Sequence, residues 1–161
     1  MMKRITLILV FVLLIGAVQA GIPFFRAIRV NRENTTLRVQ VLYQDKEGYI
    51  WVGADDGLYK YDGYVFDRIL LAGQAASENV TAIAEDAGGR LLIGMNNGRL
   101  LRYRENKLER LQSPAKSTIR TILDYKGKSI WLATYGDGIY YWKPGGWHHM
   151  AGIPDPFVYG I

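Results

Sequence analysis

Residues 44 to 63 decide the fold: Gln44-Asp45-Lys46-Glu47-Gly48-Tyr49-Ile50-Trp51-Val52-Gly53-Ala54-Asp55-Asp56-Gly57-Leu58-Tyr59-Lys60-Tyr61-Asp62-Gly63. Asp45 and Gly48 bracket a tight turn, because Asp suits the first turn position and Gly the last. Ile50-Trp51-Val52 is a β-prone run. Asp56-Gly57 then reverses the chain, since glycine takes positive φ without steric cost. Leu58 to Tyr61 makes another strand, and Asp62-Gly63 turns into a more polar one, Tyr64 to Ile69. Upstream, Val39 to Tyr43 supplies an apolar first strand. Residues 39–69 therefore read as four short strands joined by tight turns.

The same grammar recurs twice. Residues 80–111 carry Asp86 and Gly89 at the first turn, Leu92 on the second strand and Asn97-Gly98 at the next turn. Their third strand is Arg99 to Tyr103, and Glu105-Asn106 turns into Lys107 to Leu111. Residues 119–150 carry Trp131, Asp137-Gly138, a strand from Ile139 to Trp142 and the turn Pro144-Gly145-Gly146. This copy departs at its first turn, with Tyr125 and Lys128 where Asp and Gly are expected and Gly127 nearby. Trp51, Leu92 and Trp131 are 41 and 39 residues apart, and a β-branched residue (Val39, Val80 or Ile119) stands twelve before each. No unit shows the 3.6-residue periodicity of a helix. Four strands about every 40 residues is the signature of a propeller blade. The chain is expected to be all-β, a β-propeller segment of three complete blades of four antiparallel strands. Phe24 to Val30 reads as a leading strand (24–30) without strands of its own, of the kind that completes the last blade of a ring.

Asp45-x-x-Gly48-Tyr49-Ile50-Trp51-Val52-Gly53, followed by Gly57-Leu58-x-x-Tyr61-Asp62-Gly63, resembles the two-component regulator propeller repeat, with Ala54 where Thr is usual. The second copy is a partial match, with Leu92 for Trp and Arg99 for Leu. The third keeps Trp131, Ala133-Thr134 and Gly138-Ile139. The resemblance implies seven-bladed propellers, often two in tandem. In that family these form the periplasmic sensor of hybrid histidine kinases, commonly ones that detect oligosaccharides. It also implies an inner-membrane anchor and kinase parts beyond the sensor, an oligosaccharide ligand, and pairing of sensor domains as a homodimer. The segment itself would not be an enzyme, although an intact parent would carry kinase activity. Two other readings stand beside this one: a propeller scaffold for protein interaction, and a propeller lyase or hydrolase. The two histidines are adjacent and late, and no nucleophile triad or metal-ligand spacing accompanies them, which weighs against the enzyme.

Composition narrows the remaining classes. The sequence has 161 residues with 49% hydrophobic content, enough for a packed core. Lys3 and Arg4 are the only charges in the first 20 residues; the remainder holds 18 basic and 15 acidic residues, a net +3 that forms no stripe for nucleic acid. No cysteine is present, which removes disulfides, thiolate metal sites and cysteine nucleophiles. Lys3-Arg4, the apolar run Ile5 to Ala17 and Val18-Gln19-Ala20 together read as a cleaved export signal (1–20), so that residues 21–161 are expected in the periplasm. Extending the repeat from Ile119 places the next first strand at residue 158, in Val158-Tyr159-Gly160-Ile161. Propellers close with about four to eight blades. The sequence is therefore expected to be the N-terminal part of a longer propeller, whose missing blades are its partners.

Within that frame Trp51 and Trp131 are expected to be buried between blades, and Asp45 and Asp86 to shape turns. Asp55, Asp56 and Asp62 lack the spacing of a calcium loop. His148 and His149 are strand neighbours whose rings point to opposite faces, a poor geometry for one metal. No metal or other cofactor is expected. The candidate ligand-binding residues are the hairpin tips Asp55, Asp56, Asn96, Asn97, Tyr135 and Asp137. Carboxylates, amides and one aromatic ring can together hydrogen-bond sugar hydroxyls and stack on a pyranose. These tips should share one side of the disc, with the turns at Asp45, Asp86 and Tyr125 on the other.

Overall fold

A computed structural model describes residues 37–70, 79–153 and 155–160. The export signal and the leading strand read from the sequence lie outside the described residues. Twelve strands follow one another: β1 (Val39–Gln44), β2 (Ile50–Ala54), β3 (Gly57–Tyr61), β4 (Phe66–Ile69), β5 (Val80–Glu85), β6 (Leu91–Met95), β7 (Leu100–Arg104), β8 (Lys107–Leu111), β9 (Thr118–Tyr125), β10 (Ser129–Tyr135), β11 (Ile139–Lys143) and β12 (Gly146–His149). They form three four-stranded sheets, each in sequence order and each wholly antiparallel. The fold is all-β, built of propeller blades. Tight turns account for this plan. Glu105 and Asn106, for example, both take positive φ (49° and 61°), the two-residue geometry that matches strand twist.

The repeat extends to the pairing register. In the three blades Tyr43–Trp51–Lys60–Asp67, Ala84–Leu92–Arg102–Glu109 and Leu123–Trp131–Tyr141–His148 lie in equivalent rows across the sheet. A bulge falls at one place in each first strand, at Gln40, Thr81 and Arg120, where the register skips a residue. A break in the ladder bends the strand and increases its twist, and here it recurs in every described blade.

Adjacent blades meet through their first strands. β5 packs on β1 and β2, and β9 packs on β5 and β6. Glycine permits this approach. A Cβ at Gly53 would lie 2.6 Å from Val80 Cγ1, and one at Gly94 2.7 Å from Ile119 Cγ2. Between the first two blades lie Trp51, Leu58, Val80, Ile83, Leu91, Ile93, Met95, Leu101 and Tyr103, with Trp51 edge-on to Tyr103 at 5.4 Å. Between the second and third lie Ala82, Ala84, Leu92, Leu100, Ile119, Ile122 and Leu132. Each fully buried leucine here stabilises by about 1.5–3 kcal/mol.

Asp45 Oδ1 accepts from the N–H of Glu47 (3.0 Å) and Tyr49 (2.9 Å), and Oδ2 from Trp51 Nε1 (2.7 Å). Asp86 Oδ1 likewise accepts from Gly88 and Arg90 (2.9 and 3.0 Å), and its Oδ2 from Arg90 Nε (2.7 Å). The third copy lacks that Asp, and Asp124 serves instead, accepting from Gly127 N at 3.2 Å. The same turns fasten the blades together. Lys46 N donates to Glu85 of the next blade (3.1 Å), and Ala87 N donates to Asp124 of the one after (2.6 Å).

Trp131 corrects an expectation. It is half-buried, not buried, and stacks on Tyr141 at 5.0 Å with Nε1 donating to Ser129 Oγ. Its repeat position faces the following blade, and no further four-stranded sheet covers that face among the described residues. Its pairing register still matches Trp51, so the repeat alignment stands on the register.

Candidate functional site

Consecutive hairpin turns alternate between the two ends of an antiparallel blade. The β2–β3, β6–β7 and β10–β11 tips therefore occupy one end of their sheets, and the turns after β1, β5 and β9 the other. The chain crossing from β8 back to β9 runs over the β6–β7 tip. Gly98, at φ 78°, lies directly beneath the Ala115 carbonyl and has no room for a Cβ. Thr118 Oγ1 donates to the Asn96 carbonyl at 3.0 Å. Residues 155–160 cross the β10–β11 tip in a similar way. Gly136 N and Gly138 N donate to the Pro156 carbonyl at 3.1 and 3.0 Å, and Val158 N donates to the Thr134 carbonyl at 3.0 Å.

Most of the polar tip side chains are engaged in shaping these loops. Asp55 Oδ1 accepts from Arg38 N at 3.3 Å. Asp56 Oδ2 accepts from the Tyr59 hydroxyl at 2.7 Å, and the Asp56 carbonyl from Arg68 Nη2 at 2.6 Å. Burial first, and the Asp56 carboxylate second, push the Tyr59 phenol up to about 12. Asn97 Oδ1 accepts from Arg99 N at 3.2 Å. Asp137 Oδ2 accepts from Lys116 N (2.8 Å) and Ser117 N (2.7 Å), and Asp137 N donates to Thr134 Oγ1 at 3.0 Å. Burial alone would raise the Asp137 carboxyl, but the Lys116 and Ser117 donors outweigh it and hold the group below the ordinary carboxylate range. Asn96 Oδ1 and Asp56 Oδ1 are buried without a hydrogen-bond partner among the described residues.

Tyr135 differs from the other five. It is 46% exposed, and its ring centroid lies 4.8 Å from Phe157 and 5.7 Å from Tyr159. Phe157 and Tyr159 are 45% and 64% exposed, and the Arg120 guanidinium lies 5.8 Å over the Tyr159 ring. Thr121 Oγ1 donates to the Tyr159 carbonyl at 3.2 Å and ties the segment to β9. Three partly exposed rings and one cation thus gather at the tip of the third blade. Phe157, Tyr159 and Arg120 escape the sequence reading, which treats residue 158 only as a register mark. The available signal was Phe157-x-Tyr159, because alternate residues of an extended chain share a face.

The two histidines diverge. His148 stacks on Tyr141 at 5.3 Å, whereas His149 meets Tyr140 edge-on at 5.0 Å and places Nε2 3.0 Å from the Asp137 carbonyl. No group of three His, Asp or Glu side chains is arranged to hold a metal ion among the described residues.

Comparison with known proteins sets this geometry in a class. Residues 35–56 match the family described as two component regulator propeller. The extracellular domain of BT3049 from B. thetaiotaomicron, assigned as a hybrid two component system, superposes with a TM-score of 0.65 at 25% identity, over 81% of this chain and 20% of that one. The extracellular domain of BT4673 from the same organism gives a TM-score of 0.64 at 24% identity, over 79% and 18%. A catalytically inactive virginiamycin B lyase from Staphylococcus aureus gives 0.61 at 15% identity, over 73% and 43%, a likeness of fold alone. No curated protein sequence matches. The chain carries a two component regulator propeller repeat and is similar in structure to the extracellular domain of a hybrid two-component system. It spans about a fifth of the length of those two extracellular domains.

Proposed function

We propose that the chain is the N-terminal part of an exported, ligand-sensing β-propeller that takes an oligosaccharide on its hairpin-tip face and does no catalysis itself. The observation that carries this reading is the Tyr135–Phe157–Tyr159 cluster, held by Thr121 and flanked by Arg120. Aromatic rings with apolar faces and polar edges suit the alternating C–H and hydroxyl surface of a pyranose. Asp55, Asp56, Asn96, Asn97 and Asp137 border the same end of the blades. In this reading their first task is to hold the loops, with the unpartnered oxygens of Asp56 and Asn96 available for sugar hydroxyls. Periplasmic location, an inner-membrane anchor and a homodimer of sensor domains belong to the same proposal. The exported location is supported by similarity to extracellular two-component domains; the anchor and the homodimer are what the family resemblance implies. Further blades of the parent chain would cover the Leu123–Trp131–Tyr141–His148 row.

The test is calorimetric titration of the chain with a panel of oligosaccharides. Tyr135→Ala should lower affinity about fivefold or more, the loss expected for one aromatic contact. Asp45→Ala should reduce stability and leave affinity nearly intact. Equal loss from both changes, or none from Tyr135→Ala, would overturn the assignment of faces.

A further inference from the structure

A second concavity lies at the same end of the second blade. It is a cleft of about 390 Å³ lined by Asn97, Gly98, Arg99, Arg110, Leu111, Gln112, Ser113 and Ala115. That volume is at the small end for ligand sites and suits a single sugar unit or a small ion. Two of these residues are cationic and none is acidic. Neither arginine has an ion-pair partner among the described residues. Arg99 Nε is moreover buried with no hydrogen-bond partner among them. A buried, unpaired guanidinium nitrogen is costly and calls for a partner.

The state of the other polar groups points one way. Asn97 Oδ1 already accepts from Arg99 N, Ser113 Oγ from Ala115 N, and the Gln112 carbonyl from Trp147 Nε1. Each of those acceptors already holds one donor, whereas among the described residues the Asn97 amide nitrogen, the Ser113 hydroxyl hydrogen and the two guanidinium groups donate to nothing and outnumber the one idle side-chain acceptor, Gln112 Oε1. A cleft rich in unused donors and free of carboxylate selects an anion, and guanidinium forks favour planar or tetrahedral oxyanions.

We infer that this cleft is an oxyanion site, with Arg99 and Arg110 holding a carboxylate or sulfate group. It does not depend on the aromatic cluster of the third blade, and either site can fail without the other. Two sources share the chemistry: an acidic saccharide, and a free inorganic anion.

The test follows the arginine Nε–H resonances of the ¹⁵N-labelled chain during titration with sodium sulfate, with oligogalacturonate and with a neutral maltooligosaccharide. The Arg99 signal should shift saturably with sulfate, with oligogalacturonate or with both, and not with the neutral sugar. Saturation by sulfate alone assigns a free-anion site. Tighter saturation by oligogalacturonate assigns an acidic saccharide. Arg110→Gln removes an exposed side chain and should weaken binding about tenfold or more, as expected for a charge-assisted contact. Lys143→Gln, outside the cleft, should leave binding unchanged. An equal response to the neutral sugar, no saturable shift with either anion, or full affinity in Arg110→Gln would overturn the site.

Discussion

Trp51 and Trp131 stand at one register of one repeat and meet different surroundings. Trp51 is 3% exposed, wedged against Tyr103 of the next blade with its indole N–H on Asp45. Trp131 is half-buried and, among the described residues, rests on its own sheet, stacking on Tyr141 with its N–H on Ser129. Leu92, the residue between them in the series, is fully buried against the third blade. The repeat position thus faces forward each time, and the neighbouring blade decides whether it is sealed. Most of the burial in a propeller belongs to the joints between blades, so equivalent residues differ in energetic weight according to what covers them.

The largest expected effect comes from emptying a sealed joint. Trp51→Ala should cost about 3–5 kcal/mol, as for other large-to-small core changes. Trp131→Ala should cost about 1 kcal/mol in the same chain, because much less area is removed from contact. Urea unfolding followed by circular dichroism measures both. Equal losses would show that the third blade's open row is covered in solution, and would break the contrast.

A smaller effect comes from the glycines that let the blades close. Gly94→Ala places a methyl group within 2.9 Å of Ile119 Cβ and Cγ2 and should destabilise by about 1–3 kcal/mol through overpacking. At the equivalent position of the third blade the sequence already has Ala133. Ala133→Gly should cost about 1–2 kcal/mol, the backbone-entropy penalty of glycine in a strand plus the loss of one buried methyl group. Thermal melts of the two variants, side by side, would separate the two mechanisms.

Much of this architecture is legible in the sequence, because turns and apolar runs are local signals. Asp45, Asp86 and the Gly-containing reversals mark the hairpins, and the spacing of Val39, Val80 and Ile119 carries the register. The bulges at Gln40, Thr81 and Arg120 have no such signal, since an unpaired residue shows only against its partner strand. The same limit hides the links from Lys46 to Glu85 and from Ala87 to Asp124, which join residues of different repeats. At the candidate site the sequence picks out Tyr135 as the aromatic among polar tips. It cannot show that Phe157 and Tyr159 return to it, or that the Asp137 carboxylate is committed to the backbone. Those facts depend on the path of the crossing segments.

The smallest effect tests whether the third blade, one face of which no further sheet covers among the described residues, is nonetheless tied down at its tip. Asp137 binds two backbone N–H groups of the incoming crossover, whereas Asn97, at the equivalent tip of the second blade, closes only onto Arg99 N. Asp137→Asn should therefore cost about 1 kcal/mol at neutral pH, and Asn97→Ala less. The folded carboxyl of Asp137 is held below its ordinary value of 3.8 by those donors. The unfolded chain then takes up the proton first as acid is added. The stabilisation is full well above the unfolded value of 3.8, begins to fall as the pH nears it, and is gone once pH has passed through the lowered folded value. Asp62, also lowered by the N–H groups of Val65 and Tyr64, contributes to the same acid limb. The informative quantity is accordingly the difference between wild type and Asp137→Asn, measured by unfolding at pH 7, 4 and 3. That difference should shrink as the pH falls. A constant difference would mean that the variant acts by disturbing the loop's shape, and that the charge on Asp137 does not hold the crossover in place.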